Sequence, residues 1–213
     1  MLNRARAITV SERVSRVTQS PDRRRKAQRL REDLGNGREF AEALEFLGGE
    51  VALGAVSITE LAQIPFRGPP FSEGRYSAGT TYGVLYTARR YRTANKEVAY
   101  WQRQFYNPSP GVTYRIRLQL ISWLVRGAAK DVRRFLNEFP WLIDDDHTQC
   151  WALGAQARAN GLVCLIAPSA RDQPRGTTVP IFVPGGVSQG RYDGEVTFFI
   201  PAAGPVRFRT KFT

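Results

Sequence analysis

The chain has 213 residues, 42% of them hydrophobic, which suits one domain with an extension and is too apolar for a disordered chain. No stretch approaches the ~20 apolar residues that span a bilayer, and residues 1–14 lack an apolar signal core, so a cytoplasmic protein with no membrane segment is expected. Two cysteines without CxxC spacing and a single histidine, His147, argue against disulfide scaffolds and multi-histidine metal sites, while a net charge of +12 points to phosphate-bearing or acidic partners.

The first fifty residues read as helical and polar. Residues 22–34 are rich in Arg, Lys, Leu and Glu, which are good helix formers. Leu34 to Gly37 is a break, and residues 38–47 place Phe40, Ala43, Leu44 and Leu47 on one helical face. This predicts a helical N-terminal extension over 1–62, acting as a structural cap or a dimerisation arm. A short helix over Ile58–Ala62 closes it. The remaining domain then spans 63–213.

Prolines at 65, 69 and 70 predict a loop. Residues 83–88 read as a buried strand. Residues 93–105 read as a helix capped by Thr93. From 112 to 120 Val, Tyr, Ile, Leu and Leu alternate with Thr, Arg, Arg and Gln, the pattern of a half-buried strand. Residues 128–138 read as helical. Asp144–Asp146 precede a helix that Asn160 and Gly161 close. Segments 162–167, 178–183, 195–200 and 206–212 read as strands. The result is an α+β protein with a mixed, partly antiparallel sheet. It has no Walker A loop and no strand–GxGxxG–helix unit, and Gly185-Gly186 reads as a turn.

Between Arg67 and Arg134 there are 13 basic residues against 3 acidic ones, so the middle of the chain carries most of the positive field. That segment also holds the best candidates for chemistry. Arg75 is a fixed-charge fork suited to phosphate, and Gly74 before it permits a close backbone approach. Tyr76 and Tyr86 offer ring faces and hydroxyls. Glu97 falls early in a helix among apolar neighbours, where a carboxylate needs a partner or a task. An Arg75–Glu97 structural ion pair reads equally well. His147 reads as an exposed residue at a helix start, the Asp144–Asp146 run as solvated, and the four tryptophans as core or interface.

Two blocks of the chain resemble the RES-domain family. The first comprises PFRGPP from Pro65, GRY from Gly74, YGVLY from Tyr82 and YRTANKEVAY from Tyr91. The second comprises ARANGLVCLIAPSAR from Ala157 and VPIFVP from Val179. Order and spacing agree over about residues 64–187. Departures are Gly68 and Ala167 where the family has tyrosine, Gly74 directly before Arg75, and Lys96 where alanine is common.

The resemblance implies a fold like that of the ADP-ribosyltransferase toxins. It implies NAD as substrate, inorganic phosphate as co-substrate and no metal, with release of nicotinamide and ADP-ribose-1″-phosphate. It also implies neutralisation by an antitoxin of helix-turn-helix type, expected to present an acidic surface. Carried over by motif, the catalytic residues are Arg75, Glu97 and Ser169. Tyr76 and Tyr86 bind the substrate, with Arg67 and Arg171 as further binding candidates. Nicotinamide in NAD is a cationic leaving group and needs no general acid, which suits a histidine-poor chain. Glu97 would stabilise positive charge on the ribose, Arg75 would hold pyrophosphate or phosphate, and Ser169 would bond to phosphate or ribose. Alternatives are hydrolysis of NAD, ADP-ribosyl transfer to a macromolecule, or a non-enzymatic nucleic-acid surface. The basic N-terminal helices could also pair two copies.

Overall fold

The computed structural model describes residues 1–18, 21–42, 57–67, 73–79 and 82–213. Among these residues seven strands form one sheet: β1 (Arg6–Thr18), β2 (Leu85–Ala88), β3 (Thr113–Asp131), β4 (Cys164–Pro168), β5 (Thr177–Ile181), β6 (Val187–Pro201) and β7 (Arg207–Phe212). Their order is β1-β2-β5-β4-β3-β6-β7. β3 and β4 run parallel and the other pairs are antiparallel. β1 also pairs with β3, so the first five strands of that order close into a ring and β6 and β7 extend from β3. The helices are α1 (Pro21–Leu34), α2 (Ile58–Gln63), α3 (Tyr91–Phe105) and α4 (Thr148–Ala159), and residues 38–42 are also helical.

Three apolar clusters hold this frame. One draws on all five ring strands through residues such as Val14, Leu85, Trp123, Ile166 and Ile181, and so fills the ring. A second packs Ala94 and Ala99 of α3 on Ile116, Leu118 and Phe198. A third sets Leu153 and Ala157 of α4 against Leu165 and Phe182. Each large side chain buried this way stabilises the fold by about 1.5–3 kcal/mol. Ser57 and Glu60 form a reciprocal capping box that starts α2.

The N-terminus departs from a helical extension. Residues 6–18 are a strand, pairing with β3 from Arg6↔Asp131 to Thr18↔Gln119. The β-branched residues Ile8, Thr9, Val10, Val14, Val17 and Thr18 favour that pleated surface. The helices that follow cap the protein's own core: Phe40 is fully buried and packs edge-on against Tyr114 at 5.2 Å between ring centroids. The expected helical residues 43–47 and loop residues 68–71 lie outside the described residues.

β3 does not stop at 120 but continues to Asp131, where a helix was expected. Residues 129–131 are paired on both edges, with β1 and with β4, and those ladders override the local preference of the Gly-Ala-Ala-Lys run. Residues 64–66 form one turn of 3-10 helix inside the expected proline loop. The third helix starts at Tyr91, two residues before the expected cap; Thr93 lies inside it and its hydroxyl donates to Asp172 at 2.7 Å. Trp101 is not core: it is 49% exposed.

Candidate active site

The centre of the site joins α3 to the segment after β4. Glu97 stands on the second turn of α3, and Ser169 follows the end of β4. The Ser169 hydroxyl donates to Glu97 Oε1 at 2.5 Å. The Arg171 amide lies 3.4 Å from the same carboxylate oxygen and 3.2 Å from Ser169 Oγ. Ser169 Oγ also accepts from the Asp172 amide at 2.9 Å. The serine side chain is thus a buried hub that holds one oxygen of Glu97 in place. Charge-assisted bonds of this kind are the stronger class of hydrogen bond.

The segment carrying Ser169 is itself tied down. The Ser169 amide donates to Gly176 O at 2.9 Å, and the Gly176 amide to Asp172 O at 2.6 Å. A side chain at Gly176 would overlap Asp172 and Ser169. Asp172 ties the segment to α3 through Lys96, at 2.6 Å, and Thr93. Burial pushes the Asp172 carboxyl upward, but its bonds to Lys96 and Thr93 outweigh that and hold it below its ordinary range.

The second wall is a tight turn. Gly74 and Ser77 exchange backbone hydrogen bonds of 2.9 and 3.2 Å, with Arg75 and Tyr76 between them. The Tyr76 amide donates to the Tyr86 hydroxyl at 2.9 Å, the Tyr82 hydroxyl to Tyr76 O at 3.0 Å, and the Trp151 indole to Gly74 O at 2.9 Å. The glycine at 74 admits Tyr86, because any side chain there would overlap the tyrosine's ring and hydroxyl. Sequence reasoning reserved that approach for a ligand. Tyr76 is fully buried and its hydroxyl has no hydrogen-bond partner among the described residues. Burial raises the pKa of both Tyr76 and Tyr86, so both stay neutral phenols.

A third element joins these two. The Arg75 guanidinium donates to Asp144 O at 2.5 Å and Leu142 O at 3.3 Å. The Arg171 guanidinium pairs with Asp145 and lies over the Tyr100 ring, 3.4 Å from its centroid. The turn at 142–145 therefore bridges both arginines. The bond from Arg171, foremost, holds the Asp145 carboxyl below its ordinary range. Arg75 does not pair with Glu97, which settles the structural ion pair that the sequence allowed.

Of the seven residues picked from sequence, six fall on these linked elements: Glu97, Ser169 and Arg171 by direct contact, and Arg75, Tyr76 and Tyr86 on the adjoining turn and strand. Arg67 does not join them; it is exposed and reaches Glu60 at 3.8 Å. Asp145, Asp172, Tyr100 and Trp151 hold these elements through direct contacts and were not among the candidates. Asp145 sat in an acidic run that reads as solvated, and Trp151 reads as core. Arg16 carried no signal either, yet its Nη1 is buried without a partner among the described residues, and burial pulls its pKa down to about 10. His147 is partly buried rather than exposed; burial, then Arg75, lowers its pKa.

The RES domain model matches residues 55–200, more than half of the chain. The chain belongs to the RES-domain family. No curated protein matches it. Among solved structures, the M. tuberculosis MbcT–MbcA toxin–antitoxin complex is similar at 17% identity and a TM-score of 0.47, over 87% of this chain and 86% of that one. The RES match spans both walls of the site, from before Arg75 to beyond Arg171, and begins after β1. Among the described residues no cluster of His, Cys, Asp and Glu could hold a metal ion, and no helix is long and apolar enough to cross a membrane. Cys150 and Cys164 are buried free thiols, and burial pushes them up to about 11 and about 12, far from thiolate chemistry at neutral pH.

Proposed function

We propose that this RES-domain chain cleaves the nicotinamide–ribose bond of NAD and passes the ADP-ribosyl group to inorganic phosphate. The observation that carries the reading is the Glu97 carboxylate, fixed through one oxygen by the Ser169 hydroxyl at 2.5 Å and flanked by the Arg171 amide. Its second oxygen has no partner among the described residues and is free for the sugar. As the bond to nicotinamide lengthens, positive charge grows on the ribose, and a preorganised carboxylate stabilises it more than it stabilises the ground state. The electron pair leaves with nicotinamide, which departs neutral and needs no proton. A phosphate oxygen then bonds to the ribose carbon, giving ADP-ribose-1″-phosphate.

Arg75 and Arg171 supply the cationic side. Each is held at one flank and presents its remaining N–H groups to pyrophosphate or to the attacking phosphate. Neutral Tyr86, half-buried, offers a ring face for the nicotinamide end, and the fully buried Tyr76 packs that wall from within. Ser169 acts differently from the expectation of a direct phosphate contact: its hydroxyl is spent on Glu97, so it positions the carboxylate. The natural neutralising partner on this reading is an antitoxin, with an acidic face toward the basic chain.

The test is incubation of purified protein with NAD, with and without inorganic phosphate, and separation of products by chromatography with mass detection. The expected result is nicotinamide plus ADP-ribose-1″-phosphate, formed only with phosphate. ADP-ribose in both buffers makes the site a hydrolase. Label transferred from NAD to an added protein or nucleic acid makes it a transferase. Intact NAD under all conditions overturns the reading.

A further inference from the structure

A cleft of about 640 Å³ opens behind the segment that carries Ser169. It lies outside the cluster just described, and its lining contains none of Arg75, Glu97, Ser169 or Arg171. Four arginines line it, Arg6, Arg133, Arg134 and Arg175, all exposed, against one acidic residue, Asp131. That acid is already committed: Arg133 Nε and Nη2 grip both oxygens of Asp131, at 3.0 and 2.6 Å. Burial raises the Asp131 carboxyl, but the bonds from Arg133 prevail and hold it below its ordinary range, so it stays a fixed counter-ion of Arg133. The guanidiniums of Arg6 and Arg175 have no hydrogen-bond or ion-pair partner among the described residues. Arg134 donates to Arg4 O at 2.5 Å and lies over the Phe135 ring, leaving its other N–H groups outward.

Three unneutralised guanidiniums around one cleft repel each other and remain there only if solvent or a ligand screens them. Each presents a fork matched to a carboxylate or phosphate. The rest of the lining favours carboxylate. Leu136, Pro168 and Pro174 give it an apolar floor, which suits the aliphatic stems and leucine-type neighbours of a peptide. Binding of single-stranded nucleic acid calls for open aromatic faces on which bases stack. Phe135 is buried beneath Arg4 and Arg134, and none of the described residues lining the cleft is aromatic.

We infer that this arginine cleft is a docking site for an acidic, leucine-bearing peptide segment of a partner protein. The inference stands whether or not the neighbouring site cleaves NAD. The partner presents carboxylates to Arg6, Arg134 and Arg175 and lays an apolar side chain on Leu136 and the two prolines. Affinity falls as salt rises, because the cations are exposed.

The probe is a short fluorescein-labelled peptide of glutamate, serine and leucine, read by fluorescence anisotropy on the full chain. Binding is expected, with a loss of about tenfold or more in the double variant Arg6→Glu/Arg175→Glu. The variant Arg207→Glu/Arg209→Glu makes the same net charge change on exposed residues of β7 and is expected to bind like the parent. Thermal melting of both variants checks the fold, and because all four positions are exposed and the net charge change is the same, the two melts should match each other and neither should fall below the parent. Absence of binding overturns the inference, as does equal weakening by the two variants. A labelled oligothymidylate that binds more tightly than the peptide, and is lost with Arg6 and Arg175, assigns the cleft to nucleic acid and overturns it too. NAD cleavage is not the readout, so failure here and failure of the catalytic reading are distinguishable.

Discussion

Motif order singles out six candidates that the fold gathers on linked elements, but not the partners that hold them, because partners come from distant segments. Glu97 and Ser169 are 72 positions apart, and only the packing of α3 against the segment after β4 makes them a pair. Their division of labour is testable. Glu97→Gln keeps the acceptor and removes the charge, so kcat for NAD loss should fall by about 100-fold or more. Ser169→Ala leaves the carboxylate but frees it, and about 10-fold to 100-fold is expected from one lost charge-assisted bond. Ser169→Thr restores a hydroxyl and should recover part of that loss, with KM little changed. A Ser169→Ala enzyme with parental kcat would falsify the positioning role. Asp172 gives a pH signature. Its folded carboxyl sits below the unfolded value of ~3.9, so its stabilisation is present above that value and is lost as pH falls through the depressed folded value. Asp172→Asn should therefore lower the melting temperature at pH 7, by about 1–2 kcal/mol of stability, and the two melting curves should converge in strong acid. Parallel curves across the whole range would assign the effect to something other than this carboxylate.

At the scale of elements, β1 shows how one pattern can carry two readings. Val10, Val14 and Val17 are its buried residues, spaced four and three apart, which is a helical interval. In the strand they serve opposite faces: Val10 and Val14 enter the ring core, and Val17 enters the core beneath α3. A strand buried on both faces has no single alternation to find. β3 hid its second half for a related reason. Gly127, at φ +140°, lets Val163 pack where a side chain would stand, and the strand then runs on between β1 and β4. The alternation was legible over 113–118, where Arg115 and Arg117 are more exposed and Tyr114, Ile116 and Leu118 are buried, but it fails at Gln119, expected outward and found buried where β3 is paired on both edges, with β1 and β6. The pairing of β1 along its whole length makes it integral rather than detachable. Deleting residues 1–18 removes the 13 residues paired with β3 and leaves the ring open between β2 and β3. The truncated chain should lose its cooperative melt. A truncated chain that melts at the parental temperature would return β1 to the status of an extension.

Over the whole molecule, charge was legible in amount but not in placement. The basic middle segment reads as one surface field, yet the fold parcels much of it out. Arg89 pairs with Glu12 at 2.8 Å, Lys96 with Asp172, Arg133 with Asp131, and Arg103 caps the carbonyls of Pro201 and Gly204. What remains is a net charge of +12 spread over the surface, with a local concentration in the arginine cleft, while at the candidate site Arg75 and Arg171 stand against Glu97 and Asp145. Such an excess opposes the compact state through self-repulsion, whereas each exposed ion pair contributes only about 0–1 kcal/mol. Repulsion therefore outweighs the pairs, and screening relieves it. Raising ionic strength from about 10 mM to about 150 mM shortens the screening length to about 8 Å, and the melting temperature should rise. The same screening weakens the attraction between an anionic dinucleotide and a protein of net charge +12, so kcat/KM for NAD should fall over that range, by about threefold or more. The two responses have opposite signs and one cause. Melting and initial rates measured in the same salt series check both: a melting temperature that falls with salt would mean the ion pairs outweigh the net charge, and a kcat/KM that holds constant would mean the arginines do not steer the substrate.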